Sequence, residues 1–419
     1  MAFLRRSFEK RISLTQWDDL MERAIYGLPS ATGLNISDSS ALTWSAVWAC
    51  VNVLSQDIAK LPLPTYRRLP NDAGREEARD HWLWKLFRVA PNPFMTPYAF
   101  RQTMQKHLAV RGNAYAWIDR APNPDPEGDP YEGPVRGLYP RPPDRMTPKV
   151  VNGELEYEYR EPGGGITPYY PNQIFHLKGL SDDGITGISP VETFRDGIGL
   201  GLAYQQHAGR TFANGARIPM FVELPSAPGK DALDKMRVDF QEQVAGIQNA
   251  GKIPFMWGGM TLKPIGFSNK DAEFIQSRQF SIEEACRIWR VPPHKVMDYL
   301  RATFSNVTEI NIAYVGDTLM PWQVMWEQSI HQQLLPEAER GTYYVEHDNY
   351  SLLKGTPSER ATVETTYVLN GVSNINEVRR SHNWNPVPGG DRNRVQMQMM
   401  PIDAPAGLAQ PAAPPKPKE

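Results

Sequence analysis

Gly246-Ile-Gln-Asn-Ala-Gly251-Lys252 has the spacing of a phosphate-binding loop, in which backbone amides cradle a phosphate and the lysine reaches its outer oxygens. That chemistry needs a strand before the loop, a helix after it, and Ser or Thr behind the lysine to hold magnesium. Here a helical pattern precedes the glycines, strand-like residues follow, and Ile253 stands behind Lys252. The segment reads as a turn closing a helix, with glycine as the left-handed cap. Gly197, Gly199 and Gly201 fail as a dinucleotide fingerprint, because they fall inside a helical pattern with no strand ahead of it. The eight histidines are scattered, with no HExxH motif and no pair at helical spacing. Asp182-Asp183 and Glu283-Glu284 are adjacent in sequence, rarely converge on one site and read as solvated faces. No nucleophile elbow is present. These residues give no positive sign of catalysis, and no cofactor is expected.

Composition narrows the function classes further. Formal net charge is −2, from 45 basic and 47 acidic side chains in 419 residues. That balance argues against a protein that grips nucleic acid by neutralising phosphates. Cys50 and Cys286 are too few for a multi-cysteine zinc site and lie far apart in sequence. A disulfide framework is not expected, and a reducing, cytoplasmic origin fits best. No apolar run reaches the roughly 18 residues of a membrane span, and the charged start lacks a signal-peptide core.

The elements that would position these residues change along the chain. Residues 1–39 look irregular, apart from a short helical pattern near Leu14–Tyr26. A helix over 40–61 follows from Val47, Val51, Leu54 and Ile58, and Pro62 and Pro64 stop it. A strand over 64–69, a helix over 97–111, and strands at 114–120, 135–139, 146–151, 155–160 and 173–177 make the first half α+β. The Pro-, Gly- and Asp-rich stretch 121–134 is a loop. Two longer helices, 190–213 and 270–290, enclose a β-α-β-β unit with strands at 218–224, 252–257 and 261–267 and a helix at 230–245. A long helix over 306–335 carries Pro321 inside it, where a kink is expected. Two short helices are expected in 357–381, and a disordered Pro/Ala-rich tail from 401. Glycine inside a helix costs roughly 0.5–1 kcal/mol relative to alanine. Three within 197–201 therefore imply either close approach of a neighbouring helix or a locally weak helix.

In segment order the chain resembles the portal protein family of long-tailed bacteriophages over roughly residues 40–400. The resemblance rests on the helix from Ala46 with its Leu61-Pro62-Leu63 exit, on Gly112-Asn113-Ala114-Tyr115, and on Asp183-Gly184 through Ser189-Pro190. It continues through Phe212 to Ala216, Asn249 to Lys252, Val291 to His294, Thr303 to Asn306, Leu319 to Pro321, and Asn374 to Arg379. It implies an irregular arm (1–39), a wing (40–187), a first stem helix (188–213), a clip (214–269), a second stem helix (270–294) and a tunnel loop (295–305). A long kinked helix returning to the wing (306–350), a small helical crown (351–400) and the tail (401–419) complete it.

The family's role then gives the expected function. Twelve copies form a ring at the capsid vertex, assembled in the host cytoplasm, through which double-stranded DNA is packaged and ejected. The large terminase subunit, a head–tail adaptor and a capsid or scaffolding protein are the implied partners, with no membrane involved. A head-completion or tail adaptor ring is the alternative, for which 419 residues is long. Asp298, Tyr299, Arg301, Thr303 and Phe304 would face the channel. Arg301 either touches DNA or pairs with Asp298 or a neighbouring subunit. Gly197, Gly199 and Gly201 would make subunit contacts, and Pro228, Lys230, Gln248 and Lys252 would meet partners at the clip.

Overall fold

The computed structural model describes residues 27–72, 74–122, 133–213, 220–224, 229–244, 261–264, 270–298, 307–349, 357–382 and 384–393. The chain divides into two units, Met1–Asn349 and Tyr350–Glu419.

The core of the first unit is a helix pair. The helix expected over 40–61 forms in two pieces, α1 (Asp38–Ala41) and α2 (Ser45–Lys60). Ser37 and Ser40 cap the start of α1 reciprocally. Val47, Val51, Leu54 and Ile58 are all buried, as their spacing requires. After α3 (Trp82–Arg88) comes α4 (Pro97–Arg111), with Thr96 as N-cap and Pro97 in the first turn. Its buried Phe100, Met104 and Leu108 face α2. Arg101 of α4 is itself buried, and its Nη2 donates to the carbonyls of Ala59 and Leu61. The guanidinium thus closes the C-terminus of α2, where orphan carbonyls and the helix dipole favour a cation. Burial still pulls its pKa down to about 10.

Three small antiparallel sheets surround this pair. In the first, β5 (Asn113–Arg120) lies between β6 (Val135–Arg141) and β10 (Ile174–Lys178), with Tyr115 opposite His176. The second is the meander β7 (Met146–Val151), β8 (Glu154–Arg160) and β9 (Ile166–Tyr169). In β8 the tyrosines 157 and 159 turn inward and the glutamates alternate with them. The third joins β3 (Thr65–Arg68) to β4 (Arg75–Glu77) and to the distant β13 (Tyr343–Val345), with Tyr344 opposite Tyr66. A two-residue hairpin, β1 (Leu28–Pro29) with β2 (Asn35–Ile36), precedes α1. The pattern did not single out α3, β4, β9 or β13. Arg75–Glu77 is wholly charged, so it is a strand only because β3 supplies partners, among them the Arg67–Glu76 ion pair.

The helix expected from 190 to 213 is broken. It forms as α5 (Pro190–Thr193) and α6 (Arg195–Ala213), with Phe194 out of helical geometry. Between β11 (Met220–Glu223) and β12 (Thr261–Pro264), which pair antiparallel, lies α7 (Lys230–Val244). The expected strand over 252–257 and the helix near 14–26 lie outside the described residues. α8 (Lys270–Trp289) closes the insertion. The long helix expected over 306–335 is α9 (Val307–Ala313), a π-helical stretch (Tyr314–Leu319) and α10 (Met320–Gln333). The distortion precedes Pro321 rather than following it. Proline has no N–H for the carbonyl one turn back, and its ring crowds that carbonyl, so the preceding ladder widens. In the second unit, α11 (Pro357–Leu369) and α12 (Ile375–Ser381) are the two short helices expected there; Asn374 and Glu377 cap α12 reciprocally.

A polar chain runs through the first sheet. His176 is 2% exposed and stacks on Tyr115 at 4.3 Å. Its Nε2 lies 3.1 Å from Asn113 Oδ1, an atom that also accepts the Gly187 amide at 2.8 Å and is therefore the oxygen. Nε2 is then the protonated nitrogen, and Nδ1 accepts from the Tyr157 hydroxyl at 3.2 Å. Every bond is made with neutral imidazole, and burial holds the pKa down to about 3. His347 is also lowered: burial outweighs the 2.8 Å contact of its Nδ1 with Glu327.

Two outcomes follow. Both histidines have folded-state pKa values below the ordinary value of about 6.5, so their contribution to stability is complete above that pH. It is lost as pH falls from about 6.5 towards the folded values. Thermal melts between pH 7 and 4 should show a falling midpoint, and a flat profile would contradict these assignments. Gly112, at φ 69°, caps α4, and an added Cβ would stand 2.0 Å from the Ile188 carbonyl oxygen. Gly112→Ala should therefore cost more than the ~1–2 kcal/mol of a left-handed L-residue alone, read as a lowered denaturation midpoint.

Candidate functional site

Of the helix pair α6 and α8, which pack on each other, α8 packs on α2, and the short helix α5 that leads into α6 packs on α4. The strap 179–189 leads from β10 to α5, and it is fixed to the start of β5. Asn113 donates from Nδ2 to the Gly187 carbonyl at 2.7 Å and accepts from the Gly187 amide at 2.8 Å. One side-chain amide thus satisfies both backbone groups of Gly187. Ser189 caps α5 through the Glu192 amide and donates to the Val110 carbonyl, both at 3.2 Å.

Charge completes this attachment. Arg111, at the end of α4, donates from Nε to Asp38 of α1 and from Nη1 to Glu192 of α5 at 2.9 Å. Burial raises the Asp38 carboxyl above its usual range despite Arg111. Asp196, in the first turn of α6, accepts the Ala31 amide from the β1–β2 hairpin at 2.9 Å.

α8 is anchored independently. Trp289 donates from Nε1 to the Ala109 carbonyl at 2.8 Å. Arg290 ends the helix in a left-handed conformation (φ 54°), and its carbonyl accepts from Thr318 of the π-helical stretch at 2.6 Å. Tyr314 in that stretch donates to Asp57 of α2 at 2.8 Å, while Lys295 lies 5.0 Å from its ring centroid. Cys50 of α2 and Cys286 of α8 meet with their sulfurs 4.0 Å apart. The Trp289–Ala109, Tyr314–Asp57 and Cys50–Cys286 pairings have no local sequence signal, because their partners are 180, 257 and 236 positions apart.

The glycines divide. A Cβ on Gly199 would stand 2.6 Å from Ser30 Oγ, and one on Gly201 would stand 2.4 Å from the Trp44 ring. Their close neighbours are therefore the β1–β2 turn and Trp44 of the same chain, not a helix. Within the subunit, the close approach at these two positions is therefore made by a turn and a helix-capping tryptophan. Gly197 has nothing within 4 Å and lines an open groove of about 230 Å³ with Trp44, Phe194, Glu284 and Arg287. Of the residues expected to face a channel, Asp298 follows a short 3-10 turn (Pro293–Val296), its amide donating to the Pro293 carbonyl at 3.0 Å. Tyr299, Arg301, Thr303 and Phe304 lie outside the described residues, as do Pro228, Gln248 and Lys252. Lys230 is exposed at the start of α7, a helix whose residues 231–239 face solvent almost throughout. Among the described residues no His, Cys, Asp and Glu cluster could hold a metal ion.

Comparison with known proteins places this arrangement. The family described as "Phage portal protein" matches residues 45–383. The portal protein of Enterobacteria phage HK97 is 32% identical over 373 residues, covering 88% of this chain and 85% of the relative. The probable portal protein of Streptomyces phage phiC31 is 29% identical over 384 residues, covering 89% and 82%. Among solved structures, an HK97 family phage portal protein from Corynebacterium diphtheriae superposes with a TM-score of 0.53 at 18% identity, over 76% of this chain and 96% of that one. The neck of a native gene transfer agent particle, computed with C12 symmetry, gives 0.51 at 20% identity, over 88% and 94%. The chain belongs to the phage portal protein family.

Proposed function

We propose that this chain is one subunit of a closed ring at the capsid vertex, through which double-stranded DNA is packaged and later ejected. The observation that carries the reading is the family match across residues 45–383, which spans the core, the helix pair and the insertion between them. In this reading the α+β part is the wing, α6 and α8 are the stem, and β11, α7 and β12 belong to the clip. α11 and α12 would form the crown, and the tunnel loop would lie in 295–305. The ring would hold twelve subunits, meet the large terminase subunit and then a head–tail adaptor, sit against capsid or scaffolding protein, and assemble in the host cytoplasm.

Physical features of the subunit support this role. A head-to-tail ring needs two different complementary surfaces on each copy. The groove beside Gly197, with Phe194 about half exposed on its wall, suits one of them. α7 suits the clip contacts, since Leu233 and Val238 are exposed on it and a 15-residue helix is marginal in water by itself. A conduit must not hold its cargo firmly, and each neutralised phosphate adds to a sequence-independent grip. The near-balanced charge of the chain fits that requirement.

The purified chain should form rings with a central channel, seen by negative-stain microscopy and by light scattering. A stable monomer at micromolar concentration would overturn the reading. Gly197→Leu should weaken ring assembly while leaving the subunit melting temperature unchanged or slightly raised, because the added side chain meets open space in the subunit. Gly199→Leu should instead lower the melting temperature, because it drives into Ser30 and Thr32. Arg301→Glu should alter packaging or DNA retention in a salt-dependent way with little effect on assembly. A normal packaged length would remove Arg301 from the channel.

A further inference from the structure

Cys50 and Cys286 are the chain's two cysteines, and the fold brings them together from 236 positions apart. Both are buried, at 0% and 3% exposure, and both are free thiols. They sit on helices that pack directly, α2 in the core and α8 at the edge of the insertion. Their sulfurs, 4.0 Å apart, need to close by about 2 Å to reach a disulfide bond length. The two thiols are not equivalent. Cys50 donates its proton towards Cys286. That bond holds Cys286 below the ordinary thiol range, while the same bond and then burial push Cys50 up. The thiolate is the nucleophile in thiol oxidation, and Cys286 on the outer helix α8 is the less buried sulfur, so a small oxidant meets Cys286 first and Cys50 resolves.

We propose that Cys50 and Cys286 form a dithiol that hydrogen peroxide converts into an intrachain disulfide, latching α8 to α2. In the first step the Cys286 sulfur bonds to one peroxide oxygen and the O–O bond breaks. The leaving hydroxide takes a proton and departs as water, and the sulfur becomes a sulfenic acid. In the second step the Cys50 sulfur bonds to the Cys286 sulfur and the S–O bond breaks. The second hydroxide leaves as water with the Cys50 proton. The dithiol gives up two electrons, and peroxide is reduced to two waters. Burial selects a small neutral oxidant over bulky reagents. The chemistry stands on the folded chain alone; its timing rests on the portal reading. A particle leaving a reducing cell for an oxidising medium would close the latch after assembly, stiffening the base of the stem while leaving the clip free.

The test uses the full chain, treated with peroxide, quenched, then denatured in a maleimide and weighed intact. Untreated chain should take two maleimides. Treated chain should take none, be lighter by two hydrogens, and yield one peptide pair joined through Cys50 and Cys286. Its melting temperature should rise and return after a dithiol reductant. Two maleimides after treatment, oxygen retained on Cys286, or cross-links between chains would each overturn the proposal. Cys50→Ser should stop at the sulfenic acid, trapped on Cys286 by dimedone added together with the denaturant, and a failure to trap it would overturn the assigned order. Ring formation is scored separately on the same sample, so loss of the portal reading and loss of the latch are distinguishable. Alkylation in lysate and in released particles reads the timing: thiols in the first and disulfide in the second are expected, and thiols in both would overturn the timing.

Discussion

The meeting of Gly112 and Asn113 with Gly187 and Ile188 is the constraint on which the rest of the first unit depends. At that point α4 must end, β5 must begin and the strap towards the helix pair must cross both. The crossing is close enough that Gly112 has no room for a Cβ beside the Ile188 carbonyl. Asn113 then uses its whole side-chain amide on one backbone residue, Gly187. Each bond contributes about 1 kcal/mol net, but leaving both Gly187 groups buried without partners would cost about 1–3 kcal/mol each. The interaction is therefore worth more as a requirement than as a gain.

The same device recurs at the far edge of the sheet. Gln333, at the end of α10, accepts the His176 amide at 2.7 Å and donates to the His176 carbonyl at 2.8 Å. It serves as a one-residue strand on the open edge of β10, where unpaired backbone groups would otherwise meet a packed helix. His176 therefore lies where three attachments meet: Tyr157 from the meander, Asn113 at the start of β5, which holds the strap, and Gln333 from the long helix. Neutral imidazole makes the bonds to Tyr157 and Asn113, while Gln333 meets the backbone of His176; burial first, and then the nearby Lys178 charge, keep the ring neutral.

Irregular geometry concentrates where the helix pair joins the core. Phe194 breaks α5 from α6, Arg290 ends α8 with a left-handed turn, and the π-helical stretch precedes Pro321. Each irregularity is held by a specific bond rather than left to solvent. Glu192 pairs with Arg111, the Arg290 carbonyl accepts from Thr318, and Tyr314 reaches Asp57. Local distortion of this kind persists only where the surroundings over-determine it. Here the surroundings are two core helices, α2 and α4, each lined with buried side chains.

Much of this was legible in the chain because it is written at short range. The 3–4 spacing of Val47, Val51, Leu54 and Ile58, the alternation of Leu155, Tyr157 and Tyr159, and Thr96-Pro97 opening a helix that Gly112 closes are local patterns with local causes. The order of such segments also carried the family, since it is independent of how they pack. Tertiary structure decided what no window could contain. β4 is charged throughout and is a strand only beside β3. Gly199 and Gly201 signalled close approach correctly in kind, but what approaches is Ser30 and Trp44, more than 150 residues earlier. Cys50 and Cys286 looked unrelated until α2 and α8 packed. Periodicity fixes which face of an element turns inward; which partner meets that face depends on long-range closure, and side chains so far apart leave no mark on each other's neighbours in sequence.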